Sequence, residues 1–109
     1  LKKSNYQTFM AMDDDLAVGF VSASIRVDYV EGSTTSPVGY VDMVYVKEGY
    51  RKHGLARKLF EKAEAWAKEK GCTEMGSDTW LWNTNAQQFH EKMGYSKEEV
   101  LVHYIKPIK

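Results

Sequence analysis

Val44-Tyr45-Val46-Lys47-Glu48-Gly49-Tyr50-Arg51-Lys52-His53-Gly54-Leu55-Ala56-Arg57 is the stretch on which the fold turns. A β-rich run ends at Val46, Gly49 and Gly54 mark a loop, and Leu55, Leu59, Ala63 and Trp66 then recur at helical spacing. A loop that opens directly into a helix leaves backbone N–H groups without intrahelical partners, and the helix dipole favours negative charge at the same end. A phosphate or pyrophosphate fits there, with Arg51, Lys52 and His53 adding charge or donors and Gly54 letting the ligand approach the backbone. The alternative is an ordinary strand-to-helix turn with a solvated basic face.

Working outward, the helix is predicted over His53 to Lys70, supported by an Arg57/Glu61 pair at i,i+4 and stopped by Gly71. Upstream, Thr8 to Met12 and Leu16 to Arg26 are β-rich runs joined by Asp13-Asp14-Asp15, which reads as a hairpin with a solvated acidic turn. Residues 31–37 are turn-rich and form a loop, and Val38 to Val46 returns to strand composition. Downstream, Thr73 to Asp78 reads as a short strand. Asn83 or Thr84 caps a second helix with Ala86, Phe89 and Met93 on its apolar face and Gly94 at its end. Val100 to Ile105 is expected to be a last strand. This order predicts a mixed sheet with helices packed on it.

Composition narrows the function classes. The chain has 109 residues, 15 Lys plus Arg against 15 Asp plus Glu, and a single Cys. That size fits one domain, residues 1–109, with a core large enough to need neither disulfide nor structural metal. Zero formal net charge argues against nucleic acid or an anionic membrane as the main partner, since both demand a basic excess. No apolar run is long enough to span a bilayer. Cys72 has no intramolecular partner, and no signal-peptide pattern is present, so a reducing cytoplasmic setting is expected. Neither GxxxxGK[ST] nor a GxGxxG after a strand occurs, which weakens nucleotide-hydrolase and dinucleotide readings.

Two motifs supply a resemblance. Arg51-Lys52-His53-Gly54-Leu55-Ala56 resembles the [RQ]xxGx[GA] pyrophosphate loop of the GNAT superfamily of acetyl-CoA-dependent N-acetyltransferases. Asn83-x-x-Ala86-x-x-Phe89-His90-x-x-x-Gly94-Tyr95 is similar to the family's helix beside the thioester end of coenzyme A. Ser24 to Val30, Ser36-Pro37, Asp42, Gly71 to Met75 and Ser77-Asp78-Thr79 resemble the aminoglycoside 6'-N-acetyltransferase branch. Leu1 stands where the family's second strand should begin, so the resemblance implies that the family's N-terminal strand and first two helices have no counterpart here. Asp42 stands where the branch more often carries Glu.

The resemblance implies an α/β GNAT-like domain with a mixed, mostly antiparallel sheet and flanking helices, whose strands 38–46 and 73–78 part to admit the pantetheine arm. It implies acetyl-CoA as co-substrate, held by Val44, Val46, Arg51, Lys52, His53, Gly54, Leu55, Ala56, Arg57 and Asn83. It also implies an aminoglycoside acceptor and direct transfer in a ternary complex. Residue chemistry adds candidates. Asp42 interrupts an apolar strand, where a buried unpaired carboxylate would be costly, so it is expected to line a cleft and act as base. Asp78 at a strand end and Tyr40 are candidate acceptor contacts, while Asp28 and Glu31 read as solvated surface. His90 occupies the family's general-acid position, with a helix-surface His as the alternative reading. Trp80 and Trp82 can pack on sugar rings or on the core. Cys72 reads as a core thiol, and no metal site is expected. Another small amine or a protein amino group as acceptor, an inactive coenzyme A-binding remnant, and a homodimer that completes the sheet stay open.

Overall fold

The computed structural model describes residues 5–28 and 30–108. These form two compact units, one up to residue 78 and one from residue 79 onward.

The first unit is a four-stranded sheet in the order β1-β2-β3-β4, with β1 Tyr6–Asp13, β2 Leu16–Arg26, β3 Val38–Val46 and β4 Met75–Ser77. The first two pairings are antiparallel and β3/β4 is parallel. The hairpin and the 38–46 strand stand where the sequence puts them, and the predicted 73–78 strand shortens to three residues. Asp13 closes β1 rather than lying in the turn. Its Oδ2 accepts the Tyr50 hydroxyl at 2.6 Å, so the acidic triplet also ties the hairpin to the loop before the helix.

The helix α1, Leu55–Glu69, packs on β1, β2 and β3. Its buried face is Leu59, Phe60, Ala63 and Ala67, one step round from the expected stripe, with Leu55 and Trp66 half-buried. Phe60 and Val21 are fully enclosed, each side chain contributing about 2 kcal/mol or more by leaving water. Val18, Ala23 and Val41 complete the sheet's contribution to this core, and Val38 is buried on the opposite face of β3. Helix and sheet meet closely at Gly39, where a Cβ would stand 2.6 Å from that of Ala67. The Arg57–Glu61 pair forms at 4.0 Å between exposed side chains. The helix ends in a Schellman arrangement: Gly71 N donates to the Lys68 carbonyl and Cys72 N to that of Ala67, both at 3.0 Å. Cys72 is buried and free, and burial pushes its thiol pKa up, as a core cysteine requires.

The second unit contains α2, Thr84–Lys92. Asn83 caps it, its side-chain oxygen accepting from Ala86 N at 3.0 Å, and bonds from Gly94 N to Glu91 and from Tyr95 N to His90 close it in the same Schellman form. Ala86, Phe89 and Met93 are half-buried. The strand expected at Val100 to Ile105 does not form. Apolar composition alone makes no strand, because its backbone groups need a neighbour, and no described strand pairs with this stretch.

Candidate active site

The sheet opens at one point on β3. Its parallel pairing with β4 runs through Gly39, Tyr40 and Val41 opposite Met75, Gly76 and Ser77 and stops there, whereas β3 continues to Val46. On its other side the register passes from Ala23↔Val41 to Ser22↔Met43, so Asp42 is the extra residue of a β-bulge. Bulges bend a strand and re-aim side chains, and this one coincides with the parting of the strands.

Around Asp42 stands a charged and aromatic cluster. Val38, Tyr40 and Asp42 alternate onto one side of the strand. Arg26 of β2 pairs with Val38, so its side chain reaches diagonally over Tyr40 to Asp42. Its guanidinium carbon lies 3.5 Å from the Tyr40 ring centroid, and Nη2 donates to Asp42 Oδ1 at 2.9 Å. The Tyr40 hydroxyl donates to Asp78 Oδ2 at 2.8 Å. Burial first, then the Asp78 hydrogen bond and charge, raise the Tyr40 pKa well above the usual tyrosine range. Gly76 makes room for that ring, since a Cβ there would lie 2.7 Å from it. The same added Cβ would lie 3.4 Å from Val30 of the β2–β3 loop.

Glu74 anchors that loop. Its carboxylate accepts from Thr34 N at 2.9 Å and Thr35 N at 2.8 Å, and from both threonine hydroxyls. The Thr35 hydroxyl bond, followed by the Thr34 backbone bond, holds its carboxyl pKa below the ordinary range.

The loop before α1 is built for an anion. Gly54 occupies the N-cap at φ 80°, has no side chain to cap with, and is followed by a first turn without acidic residues. The left-handed backbone demands glycine there, since an added Cβ would meet no protein atom within 4 Å. Lys52 is also left-handed at φ 65°, and Lys52 and His53 are exposed, as are Val44 and Arg57, with Val46, Leu55 and Ala56 half-buried. Arg51 is turned inward to the strand end, its Nε donating to the Val46 carbonyl at 2.7 Å, so it shapes the loop. The helix N-terminus, the glycine cap and the unpaired length of β3 suit a pyrophosphate and an extended arm.

Asn83 and His90 lie in the second unit. The Asn83 side-chain oxygen is spent on the cap. His90 Nδ1 lies 2.7 Å from the Ala86 carbonyl, which can only accept, so Nδ1 carries a proton. The His90 ring stands edge-on to Tyr95 and Phe89. Trp80 and Trp82 are exposed. The structure thus gathers Asp42, Tyr40 and Asp78 into one cluster and adds Arg26, which sequence reasoning passed over. The signal for Arg26 was the hairpin-like return of β3 along β2, which sets residues of that parity side by side. Among the described residues no group of three or more His, Cys, Asp or Glu could hold a metal ion, and no helix is long and apolar enough to cross a membrane.

A mixed sheet that parts on one side of β3, followed by a helix whose N-cap is a glycine without a side-chain cap, fits the class of coenzyme A-dependent N-acetyltransferases. The chain belongs to the acetyltransferase (GNAT) family, whose model matches residues 1–95. It is 39% identical over 106 residues to an aminoglycoside N(6')-acetyltransferase type 1 of Salmonella typhimurium, covering 97% of this chain and 73% of that protein. The namesake enzyme of Acinetobacter haemolyticus is 39% identical, over 91% of this chain and 68% of its own. Among solved structures, AAC(6')-Iy in complex with CoA superposes with a TM-score of 0.90 at 38% identity, over 95% of this chain and 78% of that one. The same enzyme bound to the bisubstrate analog CoA-S-monomethyl-acetylneamine gives 0.89 over 95% and 71%.

Proposed function

We propose that the protein transfers the acetyl group of acetyl-CoA to the 6'-amine of aminoglycosides by direct attack in a ternary complex. The observation that carries this reading is the 39% identity, over 97% of this chain, to an aminoglycoside N(6')-acetyltransferase type 1. The carboxylates Asp42 and Asp78 at the opening of the sheet support it, because a polycationic acceptor needs anionic partners that hold its ammonium groups.

Coenzyme A supplies the activated acetyl thioester. Backbone N–H groups of Gly54, Leu55, Ala56 and Arg57, with Lys52 and His53 beside them, are assigned the pyrophosphate, and Val44 and Val46 the pantetheine arm. Arg51 supports the loop, and Asn83 serves through the start of α2. Asp42 takes the proton that the attacking amine must shed, directly or through water. A backbone N–H near Val44 donates to the developing oxyanion. The departing thiolate belongs to a thiol of pKa about 8.5, so a proton from Nε2 of the imidazolium form of His90, whose ring is oriented through Nδ1, assists without being indispensable at neutral pH. Tyr40 and Asp78 contact the acceptor. The reaction is placed in the cytoplasm, where acetyl-CoA is made, and a second copy of the chain is the partner proposed for the exposed apolar stretch 100–105.

Thiol release from acetyl-CoA, followed with kanamycin-type compounds, tests the reading. A 6'-amine is expected to be acetylated and its 6'-hydroxyl analogue spared. Equal modification of both removes the 6' assignment, and acetyl-CoA binding without thiol release for any amine reduces the chain to a coenzyme-binding module.

A further inference from the structure

Arg26 occupies two features at once that an amino sugar would use. Its guanidinium nitrogen pairs with Asp42 Oδ1 at 2.9 Å while its plane covers one face of the Tyr40 ring at 3.5 Å. An acceptor ammonium seeks the carboxylate, and the carbon face of a sugar seeks the aromatic ring. The cation in place is permanent, since a guanidinium keeps its charge at any physiological pH. It is also loosely held: the two side chains are 44% and 33% exposed, and exposed ion pairs are weak.

From this we infer that Arg26 is an internal stand-in for the acceptor, a residue that sets the affinity threshold because it must be displaced from Asp42 and Tyr40 before the acceptor settles. This rests on the aminoglycoside reading above and extends it. An acceptor with one ammonium trades one cation for another on Asp42 and gains little. A polycation keeps a further ammonium group for Asp78 while another replaces Arg26. The exchange costs every acceptor the same, so it leaves their ratio unchanged and sets a threshold that only an acceptor with further contacts clears. It releases the carboxylate oxygen and the ring face in a single movement.

The test compares acceptor KM and kcat for kanamycin and for 6-amino-6-deoxyglucose, which carries one amine, in wild type, Arg26→Gln and Arg26→Lys. With Arg26→Gln the monoamine KM is expected to fall about twofold to fivefold, the range set by an exposed ion pair. The kanamycin KM is expected to fall by the same factor, because the cost removed is common to both acceptors. Arg26→Lys retains the cation but not the planar cover of Tyr40, and is expected to lie between the two. Calorimetric acetyl-CoA binding confirms that each variant is folded. If Arg26→Gln instead raises KM or lowers kcat for both acceptors, Arg26 only orients Asp42 and the inference is overturned. The inference also fails, alone, if wild type acetylates kanamycin and Arg26→Gln leaves the KM of both acceptors unchanged. If wild type acetylates neither compound, the aminoglycoside reading falls and takes the inference with it.

Discussion

The Tyr40 hydroxyl donates to Asp78 Oδ2 at 2.8 Å, joining β3 to the end of β4 just where the two strands separate. Burial and this bond together raise the phenol's pKa, so the neutral form is favoured in the folded protein. That stabilisation is complete below the ordinary tyrosine range and is lost as pH rises through the raised value. Asp78→Asn removes the carboxylate's charge, so Tyr40 is expected to ionise at lower pH, though burial keeps it above an ordinary tyrosine. Ultraviolet pH titration of the two proteins reads the difference, and coincident curves refute it.

Asp42→Asn keeps the shape of the side chain and removes its charge. Acetyl-CoA affinity is expected to persist while kcat for a 6'-amino acceptor falls by about 10²-fold, the contribution of a positioned base. A rise confined to KM that shrinks at high salt would assign Asp42 to acceptor attraction alone.

Gly54 sits at φ 80°, where a Cβ is strained even in open space. Gly54→Val is expected to lower stability by about 1–2 kcal/mol and to weaken acetyl-CoA binding severely, whereas Gly54→Asn costs less because asparagine tolerates this region. Thermal unfolding and calorimetric titration separate the two losses. Unchanged affinity in a folded Gly54→Val protein would take the pyrophosphate away from this loop.

Glu74 clamps the β2–β3 loop through Thr34 and Thr35. Its depressed carboxyl pKa means that the clamp is at full strength above the ordinary glutamate range and fades as pH falls through the folded value. The stability difference between wild type and Glu74→Gln should therefore be largest near neutrality and close on acidification. A difference that stays constant across that acid range would show that charge is not what holds the loop.

The elements legible in the sequence were those with their own periodicity or punctuation. Leu59 and Ala63 at helical spacing, Gly71 and Gly94 as stops, and Asn83 as a cap all reappear in the structure. Val100 to Ile105 misled because strand formation is decided by a partner, which composition does not contain. Within the candidate site, Asp42 was visible as a charge in an apolar run. Its bond to Arg26 and the Glu74 clamp were not, since both join residues 16 to 40 positions apart and depend on strand register. The role of Arg51 also shifted, because a basic residue in a phosphate-like loop gives no sign that its Nε will turn back to Val46.

The bulge at Asp42 has an evolutionary consequence. Residue 42 has no opposite number on β2, so its identity is not fixed by the ladder that fixes Val41 and Met43. A substitution there leaves the pairing of its neighbours intact, and a longer or differently charged side chain can be tried at the mouth of the sheet at little cost to folding. The fold has in effect set aside one interchangeable position where β3 and β4 part.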